Sequence, residues 1–597
     1  MPVVSFPVER FNQLLGVRYS QEQLVEALEQ LGCDVEDTTE VVVYECPRCA
    51  ASSEKLPREA APRRCDTCGY ESAEALTEVG RDRVIRLDLL AARPDLFDAG
   101  GLTRALHGFF SLRTGCPRYE VGTSTWEIMA DPELAETGSY RPFIVAAVVT
   151  MPALDGAGLR EIMKLQENLH WGIGRDRKLT SIGVYDLDAV TPPLRYCAED
   201  PDTFSFIPLG LPGQLMTLRR ILEEHPKGIG YAYLLAGHKR FPVLKDANGR
   251  VLSMPPIINS EDTKVKVGAS RFLIDVTGVA EGPVFNTLCT LVSSLLELGG
   301  AARSVRIHTT GGMTITTPDL SLRSIPINRL DANRWLGIDL DGRTLQGTLE
   351  RMRFSVTGDD PVYDVRYPAF RTDIKHQVDV FEDLAIGYGY QNIEATLVKT
   401  MTIGRPRPEE RLSGIARSTL LGLGFTETMS LNLCAEDSQF RMFRLEPGAG
   451  HLVVANAKTR DQATMRSHLM LGLMETLRLN RRKTPPLKIF EIGNTVRLDP
   501  GGTNGICEER RLSFAVMGPE AGYAEVRAVS DAILRELGWI GEYQSHISPT
   551  FITGRCARIL DGSAPLAVLG ELHPEVLNNF GLPFPVALGE VILRRIV

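Results

Sequence analysis

Four cysteines near the N-terminus constrain the fold of this chain more than any other feature of the sequence. They form two CxxC pairs, Cys46 with Cys49 and Cys65 with Cys68, separated by a spacer of fifteen residues. Two thiolate pairs at this spacing supply the four soft ligands of a tetrahedral Zn²⁺ site. The spacing therefore predicts a zinc ribbon over about residues 44–72. Two alternatives stay open from the sequence, namely a ribbon without metal and two separate redox pairs.

The composition describes an ordinary globular protein of several domains. The 597 residues carry a net charge of −9 and 43% are hydrophobic, and this length predicts roughly four domains. The acidic balance argues against a chain that grips nucleic acid over a broad surface on its own. The seven other cysteines are scattered, which favours a reducing cytoplasm over a disulfide framework. Because the sequence shows neither a signal-peptide pattern nor a long apolar run, we expect a cytoplasmic protein without a membrane span.

A second concentration of metal-type ligands lies in residues 367–390, the sequence YPAFRTDIKHQVDVFEDLAIGYGY. Helical spacing puts apolar residues on one stripe and acidic residues on roughly the opposite face, with Asp373 at the N-cap. The stripe consists of Ile374, Val378, Phe381 and Ala385, and the carboxylates are Asp373, Asp379, Glu382 and Asp383. Clustered carboxylates repel each other, so they usually need a cation or a basic partner. The alternative interpretation is a solvated acidic helix face.

This acidic stretch resembles the signature of phenylalanyl-tRNA synthetase β subunits of the archaeal and eukaryotic type. The resemblance implies that Asp373, Asp379, Glu382 and Asp383 are Mg²⁺ ligands close to a contact with an α subunit. It covers the leading helix and the chain from about residue 75 to its end, so that only the ribbon falls outside it. A strand at 84–90 followed by Arg93-Pro94-Asp95 is similar to the family's first module, although Ala92 replaces the Asn of its turn. We therefore predict an N-terminal module over 1–120 with the ribbon inserted in it.

Residues 121–285 resemble the editing domain of the same family, which hydrolyses tyrosine wrongly attached to the tRNA. The resemblance implies a mixed sheet with helices and a pocket formed by Leu244, Ser253, Asp275 and Thr277. Whether Asp275 binds the tyrosine hydroxyl or orients water stays open. The alternatives are a Ser253 that caps a turn, and an Asp275 and Thr277 that form the polar face of a strand. No Ser-His or Cys-His pair is evident, so hydrolysis would depend on positioned water and on the tRNA's own hydroxyls.

The rest of the chain resembles two further modules of the family. Residues 286–400 are expected to form a small helical, winged B5-type module that contains the acidic helix. Residues 401–597 resemble the antiparallel class II synthetase-like domain, but Ile489 and Phe490 precede Glu491 where an Arg-x-Glu strand is expected. Since the sequence also contains neither GxGxGxxR nor GxxxxGK[ST], we expect this domain to be catalytically silent and to support a partner.

The sequence thus predicts an α+β multidomain protein and the β subunit of an α2β2 phenylalanine–tRNA ligase. The resemblance implies an α subunit that carries ATP, Mg²⁺ and phenylalanine, and tRNA(Phe) as the nucleic-acid partner. Three other functions remain open: a stand-alone tRNA-editing hydrolase, a purely structural tRNA- or partner-binding module, and a zinc-ribbon nucleic-acid protein. The acidic balance disfavours the last of these.

Overall fold

The computed structural model describes residues 3–65, 68–88, 90–136, 141–448 and 450–595. The chain divides into two compact units, Met1–Leu397 and Val398–Val597. Both combine helices and sheets, in agreement with the α+β class that the sequence predicts. No helix within the described ranges is both long and apolar enough to cross a membrane.

The first module of the first unit is a four-stranded antiparallel sheet in the order β1-β4-β2-β3, with three helices. The two long strands β2 and β4 form an extended hairpin, and the ribbon lies in the connection between them. Ser20 begins the second helix, because its side chain accepts from Gln23 N–H and the Gln23 side chain closes the capping box. The strands are β1 Val3–Pro7, β2 Asp34–Glu45, β3 Ser52–Lys55 and β4 Thr77–Asp88, and the helices are α1 Val8–Leu15, α2 Gln21–Gln30 and α3 Ala99–Phe109.

The second module is built on an eleven-stranded sheet that runs β14-β13-β12-β9-β6-β16-β7-β15-β8, with β5 and β17 paired to β16. Its strands are β5 Val121–Gly122, β6 Glu127–Ala130, β7 Phe143–Thr150, β8 Thr180–Asp186, β9 Leu194–Glu199, β12 Phe241–Lys245, β13 Val251–Met254, β14 Ile258–Asn259, β15 Arg271–Gly278, β16 Ala301–His308 and β17 Thr314–Thr317. A separate hairpin and four helices complete it: β10 Ser205–Phe206, β11 Met216–Thr217, α4 Gly156–Trp171, α5 Leu218–Glu224, α6 Pro226–Tyr231 and α7 Glu281–Glu297. The sheet extends beyond residue 285, where the sequence puts the end of this module, because β16 pairs with β7.

The third module starts at Arg323 and combines a three-stranded sheet, in the order β18-β20-β19, with three helices. The strands are β18 Arg323–Asn328, β19 Ser355–Asp359 and β20 Val362–Tyr367, and the helices are α8 Arg329–Leu336, α9 Gly342–Arg351 and α10 Gln377–Tyr388. Helix α10 is the predicted acidic helix. Its buried side includes Val380, Phe381, Leu384 and Ala385.

The second unit is a seven-stranded sheet in the order β21-β24-β25-β29-β28-β27-β26, antiparallel except for the β21–β24 pair. The sheet carries apolar clusters on both faces, since the neighbouring residues Ile489 and Phe490 of β24 point into different clusters. Its strands are β21 Thr426–Glu427, β22 Leu433–Cys434, β23 Thr464–Met465, β24 Leu487–Leu498, β25 Ile506–Met517, β26 Glu542–Ser545, β27 Phe551–Asp561, β28 Ala564–Leu572 and β29 Val586–Arg595, of which β22 and β23 pair separately. Its helices are α11 Pro408–Gly422, α12 Glu436–Gln439, α13 Met470–Asn480, α14 Tyr523–Leu537 and α15 Pro574–Phe580.

Candidate functional sites

The four cysteines of the ribbon come together in the structure. Their Sγ atoms all lie within 4.8 Å of one another, with Cys46 and Cys68 3.7 Å apart and Cys49 and Cys65 3.6 Å apart. Burial raises the pKa of the Cys49 and Cys68 thiols, so that a cation is needed to keep both as thiolates near neutral pH. The number, type and proximity of these donors fit a tetrahedral Zn²⁺.

The ribbon also packs against helix α4 of the second module. The buried carboxylate of Glu54, on strand β3, lies 2.9 Å from Arg160 Nη2 and 2.5 Å from Lys164 Nζ. At Gly156, the first residue of α4, an added Cβ would overlap the carbonyl oxygen of Ala50. The glycine therefore lets the backbone of the ribbon approach the start of this helix directly.

Three of the four predicted editing residues lie around one side chain, that of Tyr185. Leu244 and Ser253 are paired residues on β12 and β13, and Asp275 lies on β15. The hydroxyl oxygen of Tyr185 lies 2.5 Å from Asp275 Oδ1 and 2.8 Å from Ser253 Oγ, while Leu244 shares a buried apolar cluster with Tyr185. Asp275 is buried, so it is not part of a solvated strand face.

The fourth predicted residue, Thr277, has different partners. Its Oγ1 lies 3.0 Å from Ser181 Oγ and 3.3 Å from Arg141 Nε, and its carbonyl accepts from Arg141 Nη2 at 2.8 Å. Arg141 is completely buried and also donates to the carbonyl of Arg177. Neither Arg141 nor Tyr185 is among the residues that the sequence predicts for this pocket. For Tyr185 the strand alternation of Gly183, Tyr185 and their neighbours was an available signal, since it puts both residues on one face of β8.

The electrostatics of this cluster favour a neutral carboxyl group. Burial raises the pKa of Asp275 to about 7, against the opposing effects of the Tyr185 hydrogen bond and of Arg141. Burial, together with Asp275, also raises the pKa of Tyr185 well above its ordinary range. The phenol of Tyr185 therefore stays protonated, and the carboxyl group of Asp275 loses its proton only as the pH rises towards 7.

The acidic helix differs from its prediction at its start. His376, not Asp373, is the N-cap of α10. The Asp379 carboxylate accepts from the backbone N–H groups of Lys375 and His376, both at 2.7 Å. Asp379 therefore satisfies backbone donors that the first turn of a helix leaves unpaired.

The other carboxylates do not form the single exposed face that the spacing predicted. Arg371 Nη2 lies 2.6 Å from Asp373 Oδ2 and 2.5 Å from Asp383 Oδ2. Asp383 is buried and faces this guanidinium, whereas Glu382 is exposed. The four carboxylates do not converge: among the described residues, only the ribbon cysteines bring three or more metal-type ligands together. Arg371 is therefore a basic partner of two of the four carboxylates, Asp373 and Asp383.

A buried charge network connects this site with the turn at residues 93–95. Arg93 donates to Asp95 at 2.9 Å, and its Nη1 lies 3.8 Å from Asp383 Oδ1. Arg104 donates to the carbonyl of Asp95 at 3.0 Å. Burial alone would raise the pKa of Asp95, but Arg93, Arg371 and Arg104 outweigh it and hold that pKa at about 2. The first and third modules are therefore joined by paired buried charges.

Comparisons with known proteins agree with this arrangement of modules. Residues 325–390 match the tRNA synthetase B5 domain, and residues 393–593 match the phenylalanyl tRNA synthetase beta chain CLM domain. The phenylalanine–tRNA ligase beta subunit of Methanothrix thermoacetophila is 38% identical over 537 residues, which are 87% of this chain and 97% of that protein. This chain belongs to the phenylalanine–tRNA ligase beta subunit family.

Other members of the family extend the match over both units. The beta subunit of Methanosphaera stadtmanae is 32% identical over 99% of this chain and 99% of its own length. The crystal structure of an N-terminal fragment of the phenylalanyl-tRNA synthetase beta subunit from Pyrococcus horikoshii has 31% identity and a TM-score of 0.55. It covers 65% of this chain and 99% of the fragment. These matches confirm the family that the acidic stretch indicated.

In the CLM domain of this chain, both carboxylate oxygens of Glu491 are paired with side chains of the same domain. Its Oε1 lies 2.5 Å from Arg466 Nη1, and its Oε2 accepts from Ser430 Oγ at 2.7 Å. Glu491 and Arg466 are both buried. Arg511 on the next strand is similarly paired with Glu590 at 2.5 Å. Charged groups at the centre of this sheet thus neutralise each other.

Proposed function

We propose that this chain acts with an α subunit as an α2β2 phenylalanine–tRNA ligase, and that its second module hydrolyses mischarged tyrosyl-tRNA. The observation that carries the editing proposal is the buried pair Asp275 and Ser253, which hydrogen-bonds a phenol hydroxyl. Phenylalanine and tyrosine differ by that hydroxyl alone. A pocket for phenylalanine rejects an added hydroxyl poorly, so a second site that binds the hydroxyl is needed to remove the error.

The pocket supports discrimination in one direction. A tyrosyl side chain satisfies the Asp275 and Ser253 oxygens, whereas a phenylalanyl side chain leaves buried polar groups unpaired. The neutral form of Asp275, which the raised pKa favours below about pH 7, can both donate to and accept from a phenol. Asp275 therefore recognises the hydroxyl of the tyrosyl side chain in this proposal. Arg141 positions Thr277, which lies two residues from Asp275 on the same strand. No side-chain nucleophile with its own base takes part in this proposal. A positioned water molecule attacks the ester directly.

The test of editing replaces the recognising carboxyl group. Asp275→Ala in the assembled enzyme should leave aminoacylation with phenylalanine near normal and slow deacylation of tyrosyl-tRNA by about tenfold or more, since leaving a buried hydroxyl without its partner costs roughly 1–3 kcal/mol. Asp262→Ala, at an exposed position of the same module, is the control and should change neither rate. Unchanged deacylation by Asp275→Ala would remove Asp275 from the site.

The CLM domain is proposed to be catalytically silent. The internal pairing of Glu491 with Arg466 and Ser430 supports this, because none of these groups is available to hold a nucleotide. ATP, Mg²⁺ and phenylalanine would then bind to the α subunit. The isolated chain should show no ATP–pyrophosphate exchange, and mixing it with an α subunit should establish that activity. Exchange by the isolated chain would overturn the proposal.

Metal binding is proposed separately for the two predicted sites. The ribbon would hold one Zn²⁺ through Cys46, Cys49, Cys65 and Cys68. At the acidic helix, Mg²⁺ would bind Asp379 and Glu382 together with water, since Mg²⁺ commonly uses one or two carboxylates and keeps several waters. Asp373 and Asp383, which Arg371 already pairs, would only orient this shell.

A further inference from the structure

The phenol that Asp275 and Ser253 bind in this structure belongs to the chain itself. The Tyr185 side chain is completely buried, and so are Leu244 and the two polar groups that its hydroxyl contacts. The distances from the Tyr185 hydroxyl oxygen, 2.5 Å to Asp275 Oδ1 and 2.8 Å to Ser253 Oγ, are those of strong hydrogen bonds. The residues expected to recognise a substrate phenol thus already surround a phenol.

A glycine makes this arrangement possible. Gly183 faces Asp275 across the β8–β15 pair, and Tyr185 faces Leu273. An added Cβ at Gly183 would overlap both the Tyr185 hydroxyl and Asp275 Oδ1. The tyrosine ring therefore lies back along its own strand, over the glycine, and reaches a carboxyl group that faces residue 183 and not residue 185.

We propose that Tyr185 is the resident occupant of the phenol site, and that a tyrosyl group engages Asp275 and Ser253 only when the Tyr185 side chain leaves them. This inference rests on the editing function proposed above. The two phenols exclude each other because Leu244, Ser253 and Asp275 are all buried around the first ring, which leaves no room for a second ring against the same oxygens. Protein interiors are packed too closely to hold two aromatic rings in the space of one.

The exchange of one phenol for another makes Tyr185 a specificity-determining residue. A tyrosyl group that displaces Tyr185 restores both hydrogen bonds, so the polar part of the exchange is close to balanced. A phenylalanyl group that displaces it restores neither and leaves a buried carboxyl group unpaired, which is unfavourable. Phenylalanyl-tRNA, the correct product, would thus be rejected partly because its phenylalanyl group has no hydroxyl to replace that of Tyr185.

The first experiment uses the full-length chain with p-cresol, which is the tyrosine side chain as a free molecule, and toluene, which lacks the hydroxyl. Tyr185→Ala should bind p-cresol at least about tenfold more tightly than toluene, as expected for a ligand that gains hydrogen bonds to a buried polar pair. Thermal shift and calorimetry would measure both affinities. Wild type, whose site is filled, should bind neither.

Tyr196→Ala is the matched control, because Tyr196 is also completely buried in the same apolar cluster, and its hydroxyl donates to the Arg141 carbonyl instead. The preference for p-cresol over toluene should be clearly smaller in this variant than in Tyr185→Ala, because the vacated space offers one carbonyl in place of a carboxyl and a hydroxyl group. Equal binding of p-cresol and toluene by Tyr185→Ala would show a simple apolar cavity and overturn the proposal. So would p-cresol binding by wild type with the same affinity as Tyr185→Ala.

The second experiment keeps the ring and decides the question even if Tyr185→Ala does not fold. Tyr185→Phe removes the resident hydroxyl, so the side chain of residue 185 leaves Asp275 and Ser253 more easily. The KM for tyrosyl-tRNA deacylation should therefore fall several-fold. A residue that merely positions Asp275 would instead give a higher KM or a lower kcat, which would overturn the proposal. If neither wild type nor Tyr185→Phe deacylates tyrosyl-tRNA, the editing function itself fails, and the ratio of p-cresol to toluene affinity still decides whether Tyr185 fills a phenol site.

Discussion

The ribbon and the acidic helix each carry four potential metal ligands within a short stretch, yet the fold treats the two sets in opposite ways. The ribbon gathers its four thiols to within 4.8 Å of one another. The acidic stretch separates its carboxylates: Arg371 pairs two of them, the helix start uses Asp379, and Glu382 is exposed. Ligand spacing predicts a site where tight turns force the ligands together. It predicts less on a helix, where an arginine of the same stretch, Arg371, pairs with two of the acids.

The largest effect is expected at the ribbon. Cys65→Ser removes one of four thiolates, and zinc-finger sites of this kind contribute about 10–16 kcal/mol of apparent binding free energy. We expect the zinc content of the purified chain to fall from one per chain to nearly none, with fast amide exchange over the ribbon. Cys33→Ser, which removes a cysteine outside the cluster, should retain the metal. Wild-type protein without zinc would contradict the assignment.

The next effect tests whether arginine replaces a shared ion at the acidic stretch. Arg371→Met keeps much of the side-chain volume and leaves the buried Asp383 without its main partner. Removing one member of a buried ion pair costs about 3–5 kcal/mol. The urea concentration at the midpoint of unfolding of the first unit, Met1–Leu397, should therefore fall strongly.

Arg366→Met is the control for this prediction, because Arg366 is half-exposed and its pair with Asp364 is 3.5 Å long. Exposed pairs contribute only about 0–1 kcal/mol. If added Mg²⁺ restores the stability of Arg371→Met to that of wild type, the carboxylates form a cation site that the arginine normally fills. A small loss for Arg371→Met would show that the network is not essential to the fold.

What the sequence predicted depends on how far apart the cooperating residues are. The CxxC pairs were found because the ligands lie in two short turns. The grouping of Leu244, Ser253 and Asp275 follows from resemblance to a family, and in the structure all three lie around Tyr185. The role of Tyr185 depends on strand pairing, and that of Arg371 depends on how the chain before α10 folds back onto the helix, so neither is visible in the local pattern.

The acidic helix shows the same limit within a few residues. Its apolar stripe was predicted from an idealised helix that begins near Asp373, but the helix begins at Gln377 and buries Val380 and Leu384 while Val378 is only half-buried. A shift of the buried side places Asp383 in the interior. The periodicity cannot show this, because the partners of the buried Asp383 are Arg371, which precedes the helix, and Arg93 of the first module.

Two buried carboxyl groups offer a third prediction, since one has arginine partners and the other a phenol. The pKa of Asp95 is held at about 2, whereas burial raises that of Asp275 to about 7 from its ordinary 3.8. The folded state therefore holds the Asp275 proton more tightly than the unfolded state does. Its stabilising contribution is complete below about pH 4 and is lost as the pH rises towards 7.

This contribution amounts to at most about 4 kcal/mol for a shift of roughly three pKa units. The free energy of unfolding of wild type, minus that of Asp275→Asn, should decrease between pH 4 and pH 7, measured by urea unfolding at each pH. Asp95 should contribute the opposite slope, and only below its ordinary pKa. A difference between wild type and Asp275→Asn that does not vary with pH would show that Asp275 is ionised throughout this range.

The smallest effect is expected from Glu382, the one exposed carboxylate of the four. Glu382→Gln keeps the size of the side chain and removes one charge from the proposed Mg²⁺ shell. Since the ion would keep several waters and Asp379, the variant should assemble with the α subunit more weakly at low Mg²⁺ and recover as Mg²⁺ is raised. Glu394→Gln, at another exposed position, should show no such dependence. Sedimentation of the mixed subunits across a Mg²⁺ series measures both. If Glu382→Gln and wild type assemble alike at every Mg²⁺ concentration, this face is simply solvated, and Arg371 is the cation that the acidic stretch requires.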